Sequence, residues 1–142
     1  MAETLFEELG GREILRRVHV VFYEKLLKDP WLMDLFEGIP REHLEDQQTD
    51  FMQYLFGGPN IYEGRMPKRG HQHLFISEEI FMERHRILAQ SLDECGVSGD
   101  HKERWLRYGL GLKLALVKRD ISQCEGRFRT EKILSVTKPA GR

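Results

Sequence analysis

The sequence predicts an all-α protein, and three observations support this prediction. Over most of the chain apolar residues recur at intervals of three and four, which places them on one face of a helix. Glycine and proline fall between these segments, where they end helices. No segment shows the alternation of apolar and polar residues that is typical of a half-buried strand. The length of 142 residues favours one domain with a core of its own.

The first half of the chain contains two predicted long helices. In "REILRRVHVVFYEKLL" the apolar residues follow the helical spacing, and this segment opens after Gly10-Gly11 and closes at Asp29-Pro30. A short piece, "WLMDLFEGIP", comes next. The second helix is predicted over residues 41–56, and "GGP" at 57–59 stops it because glycine weakens a helix and proline cannot continue one.

Two further helices are predicted in the second half. After a loop over residues 60–70, Ser77 is suited to cap a helix that runs to about Glu94, because its hydroxyl can accept a hydrogen bond from the first turn. The last helix is predicted over about 100–119, with a buried stripe that includes Trp105 and Tyr108. Beyond this helix the chain is polar and basic. We therefore expect a domain of residues 1–120 and a poorly ordered tail of residues 121–142.

Composition and charge narrow the classes of function. A net charge of −1 does not favour binding to nucleic acid or a polybasic contact with a membrane. Cys95 and Cys124 form neither a zinc spacing nor a disulfide framework, which favours a reducing compartment. No apolar run resembles a signal peptide or is long enough to span a bilayer. We expect a cytoplasmic protein without nucleic-acid or membrane partners.

Two polar side chains occupy positions where the helical pattern favours apolar ones. Gln48 lies four residues after Leu44 and three before Phe51, in the middle of an apolar face. An unsatisfied buried amide costs about 1–3 kcal/mol, so Gln48 must bond to a partner or lie on a helix rotated toward water. Tyr23 follows Phe22 on an amphipathic helix. Its hydroxyl either lies at the boundary in water or points inward to a hydrogen-bond partner.

Two histidines stand close together in "KRGHQHLFIS", residues 68–77. Neutral imidazole is the commonest metal-binding side chain, but a zinc site would need further ligands at a usable spacing, and none is evident for His71 or His73. Taken alone, each histidine also fits an ordinary loop or core residue. Taken with the phenol and the amide, the pattern fits a flat apolar cofactor with one axial imidazole and a small polar group on its far face.

These segments resemble the truncated haemoglobins, the two-over-two helical globins. "LFEELGGREILRRV" is similar to the family's opening helix and Gly-Gly break, and "FYEKLLKDPWLMDLFEGI" to its Phe-Tyr pair, Asp-Pro turn and following phenylalanine. "FMQYLFGGPNIYEG" and "GHQHLFISEEIF" resemble its Gly-Gly-Pro break and its His-x-His-Leu-x-Ile segment. The resemblance covers residues 4–117, and its spacing is similar to the group I branch. It implies that residues 1–120 form a two-over-two sandwich of helices around haem b.

The resemblance implies roles for individual residues. His71 matches the proximal histidine that binds haem iron, whereas His73 matches a position that does not. Tyr23 and Gln48 match the distal pair that hydrogen-bonds oxygen, and Leu44 lies at the mouth of the distal pocket. The residues expected to contact haem are His71, Phe36, Leu44, Phe51, Tyr62, Lys68, Ile76 and Leu88.

Three features depart from the family pattern. Gln47 stands where some relatives carry an iron-binding histidine, and an amide is a poor ligand for iron. Arg84 stands where relatives usually have an apolar or aromatic residue. A buried arginine needs a partner. Either a haem propionate supplies one, or the register of this helix is shifted by one residue. The tail after Asp120 has no counterpart in the family.

The resemblance implies a globin that binds O₂, and also CO and NO, at a five-coordinate haem iron, as a monomer or weak homodimer. Oxygen binding, sensing or NO scavenging would follow from slow release of O₂. The alternative is a haem enzyme such as an NO dioxygenase or a peroxidase. This enzyme would need an external reductase, because the chain carries no flavin or nicotinamide motif. A third class is a haem-free helical interaction module, which would be colourless.

Overall fold

The structure, a computed structural model, describes residues 3–142 and confirms the all-α prediction. Within these residues the α-helices are α1 (Leu5–Leu9), α2 (Arg12–Lys28), α3 (Arg41–Leu55), α4 (Pro67–Gly70), α5 (Glu78–Glu94), α6 (Gly99–Leu110) and α7 (Lys113–Leu116). Two 3-10 helices, Met33–Phe36 and Ile121–Gln123, complete them. The described part of the chain contains one isolated β-bridge, between Leu74 and Leu134, and no longer strand.

Local signals in the sequence set the helix boundaries. The Thr4 side chain accepts a hydrogen bond from the Glu7 amide and caps α1, which ends at Gly10. Gly10 and Gly11 have φ angles of 97° and 96°, a conformation that side chains with a Cβ rarely adopt, and they allow the sharp turn into α2. The Ser77 hydroxyl accepts a hydrogen bond from the Ile80 amide at 3.2 Å and caps α5, as predicted.

The four long helices pack as two pairs. Helix α2 contacts α3 and α5, and α5 also contacts α6. This is the two-over-two sandwich that the resemblance implied. Its core contains fully buried side chains from three of these helices, including Leu15 and Phe22 of α2, Phe81 of α5 and Trp105 of α6. Burying one such side chain contributes about 1.5–3 kcal/mol, so the core holds the helices in fixed positions around the site.

The last long helix is shorter than predicted. It was expected over about 100–119, but α6 ends at Leu110 and only the short α7 follows. Glycines at 109 and 111 flank this end, and glycine has low helix propensity. Trp105 is buried, whereas Tyr108, which the periodicity placed on the same stripe, is 40% exposed. The break in the helix therefore turns part of the predicted stripe toward water.

The segment after residue 120 lies against the helical part of the chain. The Leu134 amide donates to the carbonyl of His73 at 3.0 Å, and the Phe75 amide donates to the carbonyl of Leu134 at 2.9 Å. At the far end, Arg142 pairs with Asp29 at 2.9 Å. The composition suggested a poorly ordered tail, whereas the structure gives this segment defined contacts. Composition does not reveal them, because backbone hydrogen bonds do not depend on the type of side chain. The division into units 1–120 and 121–142 remains a prediction.

Candidate functional site

A large cavity lies between the helices. Its volume is about 750 Å³, within the range of about 300–1,000 Å³ that is usual for ligand pockets. Its walls come from α2, the 3-10 helix at Met33–Phe36, α3, the loop before α4, and the start of α5. Apolar residues of these walls include Leu26, Leu32, Leu35, Ile80, Phe81 and Leu116. The cavity therefore suits a sizeable apolar ligand with a few polar groups.

Most of the predicted site residues line this cavity. They are Tyr23, Phe36, Leu44, Gln48, Phe51, Tyr62, His71 and Ile76. The structure does not bring Lys68 or Leu88 to the wall. Lys68 is exposed on the outside of α4. Leu88 is buried where α5 faces α6, next to Gly109, because it lies one turn beyond the last part of α5 that borders the cavity. Their predicted contacts with the cofactor are therefore not supported.

Helix α4 positions His71 through the carbonyl of Pro67, which accepts from the His71 amide at 3.1 Å and also contacts its ring. The Nδ1 atom of His71 lies 2.7 Å from the carbonyl oxygen of Pro67. Since a carbonyl can only accept, Nδ1 carries the hydrogen and Nε2 keeps a free lone pair. Burial is the main cause that lowers the pKa of His71, to about 4, so the imidazole is neutral at pH 7. A neutral imidazole with one nitrogen anchored is the usual form of a metal-binding histidine.

His73 also lines the cavity, but the tail engages it. Its Nδ1 lies 3.9 Å from a carboxylate oxygen of Glu131, and its backbone carbonyl accepts the hydrogen bond from Leu134. Hydrogen bonds from Arg127 are the main cause that lowers the pKa of Glu131, to about 2, so this residue stays a carboxylate. His73 is thus held by strand-like backbone pairing, and its Nδ1 has no hydrogen-bond partner among the described residues.

Helices α2 and α3 add two hydrogen-bond donors to the wall. The Tyr23 ring is buried and packs edge-on against Phe22 and Phe36, with centroids 5.2 and 6.0 Å away. Within residues 3–142, neither the Tyr23 hydroxyl nor the Gln48 amide has a hydrogen-bond partner, although both residues line the cavity. Burial is the main cause that raises the pKa of Tyr23, to about 12, so the phenol keeps its proton. Both groups remain available to a ligand.

Arg84 faces the same cavity. It lies one helical turn after Ile80 on α5, and its guanidinium carbon is 5.1 Å from the centroid of the Phe22 ring. Its Nη1 atom is buried and has no hydrogen-bond partner in the described part of the chain. The side chain points inward, so the alternative of a shifted helix register does not apply.

Arg127 and Lys118 are site residues that the sequence reasoning missed. Arg127 lines the cavity and donates a hydrogen bond to the carbonyl of Gly70 at 3.3 Å. The Lys118 ammonium donates to the carbonyls of His71 and Leu74 at 3.0 and 2.7 Å. Basic residues in a polar segment are usually solvated, so the sequence offers no signal for these contacts. Together they tie the segment around His71 to the C-terminal part of the chain.

Known proteins are similar to this chain over most of its length. Residues 4–115 match the family model described as bacterial-like globin. A group 1 truncated haemoglobin from Tetrahymena thermophila is 36% identical over 95 residues, which cover 67% of this chain and 78% of that protein. The chain belongs to the truncated haemoglobin family. The group 1 truncated haemoglobin GlbN of a Synechocystis strain is 30% identical over 101 residues, covering 68% of this truncated haemoglobin and 82% of the relative.

Solved structures of truncated haemoglobins have the same fold. The Fe(III) form of truncated haemoglobin from Tetrahymena pyriformis superimposes with a TM-score of 0.74 at 28% identity. The comparison covers 82% of this truncated haemoglobin and 100% of that chain. The residues that fall outside the family model include the C-terminal segment beyond residue 115, which carries Lys118 and Arg127.

A haem fits the residues that this truncated haemoglobin presents. The cavity is large and mainly apolar, and of the histidines on its wall, His71 has a neutral imidazole with Nδ1 anchored to a carbonyl and Nε2 free. Two unpartnered donors, Tyr23 and Gln48, border the same space. Arg65 is exposed and lines the cavity from the loop before α4, where it can meet the carboxylates of a haem. This donor set is that of a haem globin.

Proposed function

We propose that this truncated haemoglobin holds haem b with His71 and reversibly binds O₂, together with CO and NO, in the space bordered by Tyr23 and Gln48. The single observation that carries the proposal is the hydrogen bond between His71 Nδ1 and the Pro67 carbonyl. It fixes the tautomer and orientation of an imidazole on the wall of a haem-sized cavity. When bound, haem supplies an iron with one coordination position open to a diatomic ligand.

The distal donors act on the charge of the ligand. O₂ draws more electron density from ferrous iron than CO does, so a donor hydrogen bond favours O₂ over CO. Such bonds to charged groups contribute about 1.5–3 kcal/mol. The protonated Tyr23 hydroxyl and the Gln48 amide supply these donors without losing bonds to other protein groups in the described chain. Slow release of O₂ suits sensing or chemistry better than delivery.

Apolar residues keep this part of the cavity dry. Phe51 is buried, and Phe36 and Leu44 are partly buried, where the three line the wall near the distal donors. Water that reaches a ferrous haem promotes its oxidation, so excluding water preserves the form that binds O₂. A low local dielectric also strengthens the hydrogen bonds from Tyr23 and Gln48.

The absorption spectrum tests the haem proposal directly. The purified protein, loaded with hemin and reduced, should show a strong Soret band between about 400 and 430 nm, with the five-coordinate ferrous spectrum of a single histidine ligand. Addition of CO should shift this band. A protein that stays colourless after exposure to hemin would contradict the proposal and favour a haem-free interaction module.

We also propose a cellular location and partners for the protein. No helix in residues 3–142 is both long enough and apolar enough to cross a membrane. We propose a cytoplasmic protein whose partners are small gaseous ligands, acting as a monomer or weak homodimer. Sedimentation velocity of the haem-loaded protein over a range of concentrations distinguishes these two states.

A further inference from the structure

Arg84 places an uncompensated positive charge beside the cavity. Its Nη1 is buried without a hydrogen-bond partner, and the Phe22 ring lies under its guanidinium. Its polar neighbours are neutral at pH 7. The Tyr23 hydroxyl keeps its proton, and burial lowers the pKa of His19 to about 3. Among residues 3–142, Arg84 therefore has no anionic partner.

Two carboxylates on α3 and α5, those of Glu45 and Glu83, are engaged by other cations. Glu45 of α3 accepts a hydrogen bond from Arg41 at 2.8 Å and lies 3.8 Å from Arg16. Glu83, the neighbour of Arg84 on α5, pairs with Arg86 and with Arg142. Neither forms an ion pair with Arg84 among the described residues. A buried charge without a partner is costly, and a guanidinium does not escape this cost by losing its proton.

Arg84 is partly buried and lines the cavity, and its Nη1 atom is buried. The Phe22 ring under its guanidinium is 1% exposed and packs against Tyr23, and we call this core-facing side the inner end of the cavity. Arg65 is exposed and lines the cavity from the loop before α4. The two arginines thus reach the cavity from different elements, and Arg84 lies next to Tyr23.

We propose that Arg84 and Tyr23 form a binding site for a small monovalent inorganic anion, of the class of azide or nitrite, at the inner end of the cavity. A guanidinium offers several N–H donors in a fixed plane, and the phenol adds an O–H donor. An anion at this site supplies the charge that Arg84 lacks. The inference rests on the proposed haem function and adds to it a preference for anionic over neutral ligands.

An azide titration of the ferric, haem-loaded protein tests this site. Charge-assisted hydrogen bonds are worth a factor of about 10 to 100 in affinity, so Arg84→Met should raise the azide Kd by that factor. The rate of CO association to the ferrous form should change far less, because CO is neutral. Both measurements use the Soret band, which also reports whether the variant retains haem.

Arg86→Met is the matched control. Arg86 lies on the same helix, carries the same charge and is exposed, so its removal tests for a general electrostatic effect. We expect it to change the azide Kd by less than about fivefold, as is usual for a surface charge. Equal weakening in both variants, or an unchanged Kd in Arg84→Met, overturns the anion site while leaving the haem proposal intact.

A second measurement needs no substitution. It tests the anion site even if Arg84→Met does not fold. In a crystal structure of the ferric wild-type protein with azide, a guanidinium nitrogen of Arg84 should lie within about 3.2 Å of the anion. A guanidinium turned onto a haem carboxylate instead overturns the proposal. A wild-type protein without a Soret band refutes the haem function itself, and the anion site with it.

Discussion

The Nδ1 atom of His71 lies 2.7 Å from the carbonyl oxygen of Pro67, four residues earlier in the chain. This bond fixes which ring nitrogen is free, so it predicts the effect of removing the side chain. His71→Ala should lose the five-coordinate ferrous spectrum and most of the bound haem, because no other neutral imidazole is held in this way. His73→Ala should retain both, and His101→Ala, at a partly exposed position that does not line the cavity, is a control for general effects. Reversed behaviour of the variants at 71 and 73 would make His73 the ligand.

Removal of the distal phenol should speed the loss of O₂. Tyr23→Phe deletes one donor and little volume, so the O₂ dissociation rate should rise by about 10- to 100-fold, with a smaller change in CO association. Gln48→Leu should act in the same direction. The double variant should show less than the product of the two effects if the donors act as one network. Stopped-flow replacement of O₂ by CO measures these rates.

Tyr54 provides the control for this experiment. It lies on α3 and is exposed, so Tyr54→Phe removes the same hydroxyl outside the cavity. Its O₂ dissociation rate should equal that of the wild type. If Tyr23→Phe also behaves like the wild type, the phenol does not act on O₂, and the distal donor must be sought among the other polar groups of the wall.

Acid should destabilise the protein through His19. Burial, followed by the charges of Arg84, Arg16 and Arg12, lowers its pKa in the folded state to about 3, whereas an unfolded histidine titrates near about 6.5. Between these values the unfolded state binds a proton that the folded state does not. The free energy of unfolding should therefore fall as the pH is lowered from about 6.5 toward 3.

Urea unfolding at several pH values measures this contribution. His19→Gln, whose amide does not titrate and can bond to Thr49, should show a weaker loss of stability between about pH 6.5 and 4 than the wild type. His101→Gln, at a partly exposed position, should follow the wild-type curve. Parallel curves for all three proteins would mean that the proton bound on unfolding belongs to other groups, such as His71.

The contacts of Lys118 should slow the loss of haem. Its ammonium bonds to the carbonyls of His71 and Leu74. Lys118→Met keeps the length of the side chain and removes both bonds, so hemin should dissociate faster by about tenfold. Lys132→Met, at an exposed position of the same segment, should have no effect. Transfer of hemin to an excess of a haem-binding acceptor protein gives these rates, and an equal rate in wild type and Lys118→Met would count against the role of the segment.

The sequence predicts the helices well because their signals are local. The cap of α5 by Ser77 depends on residues within one turn, and the spacing of apolar residues reveals the face that packs. His19 shows the limit of this reasoning. It falls on a mostly polar face by periodicity, yet it is buried against Trp105 and bonded to Thr49 at 2.8 Å. Both partners lie far away in the sequence, so no local pattern reveals them.

The site shows the same division between local and distant information. The motif around His71 and the Phe-Tyr pair at Tyr23 are recognisable by resemblance, and both line the cavity. Lys68 and Leu88 do not, because a matching position does not specify the direction in which a side chain points. The anchoring of His71 by the C-terminal segment could not be predicted, since it depends on backbone carbonyls that any sequence offers.

The pairing of Leu134 with His73 and Phe75 has a consequence for synthesis on the ribosome. The strand-like stretch next to His71 gains these two backbone bonds only when residues far downstream have left the exit tunnel. A nascent chain that has completed α2, α3 and α5 therefore possesses most of the cavity walls, but it lacks Leu116, Arg127 and the two backbone bonds of Leu134. Firm capture of haem should consequently come late in synthesis, after residue 134 has emerged from the ribosome.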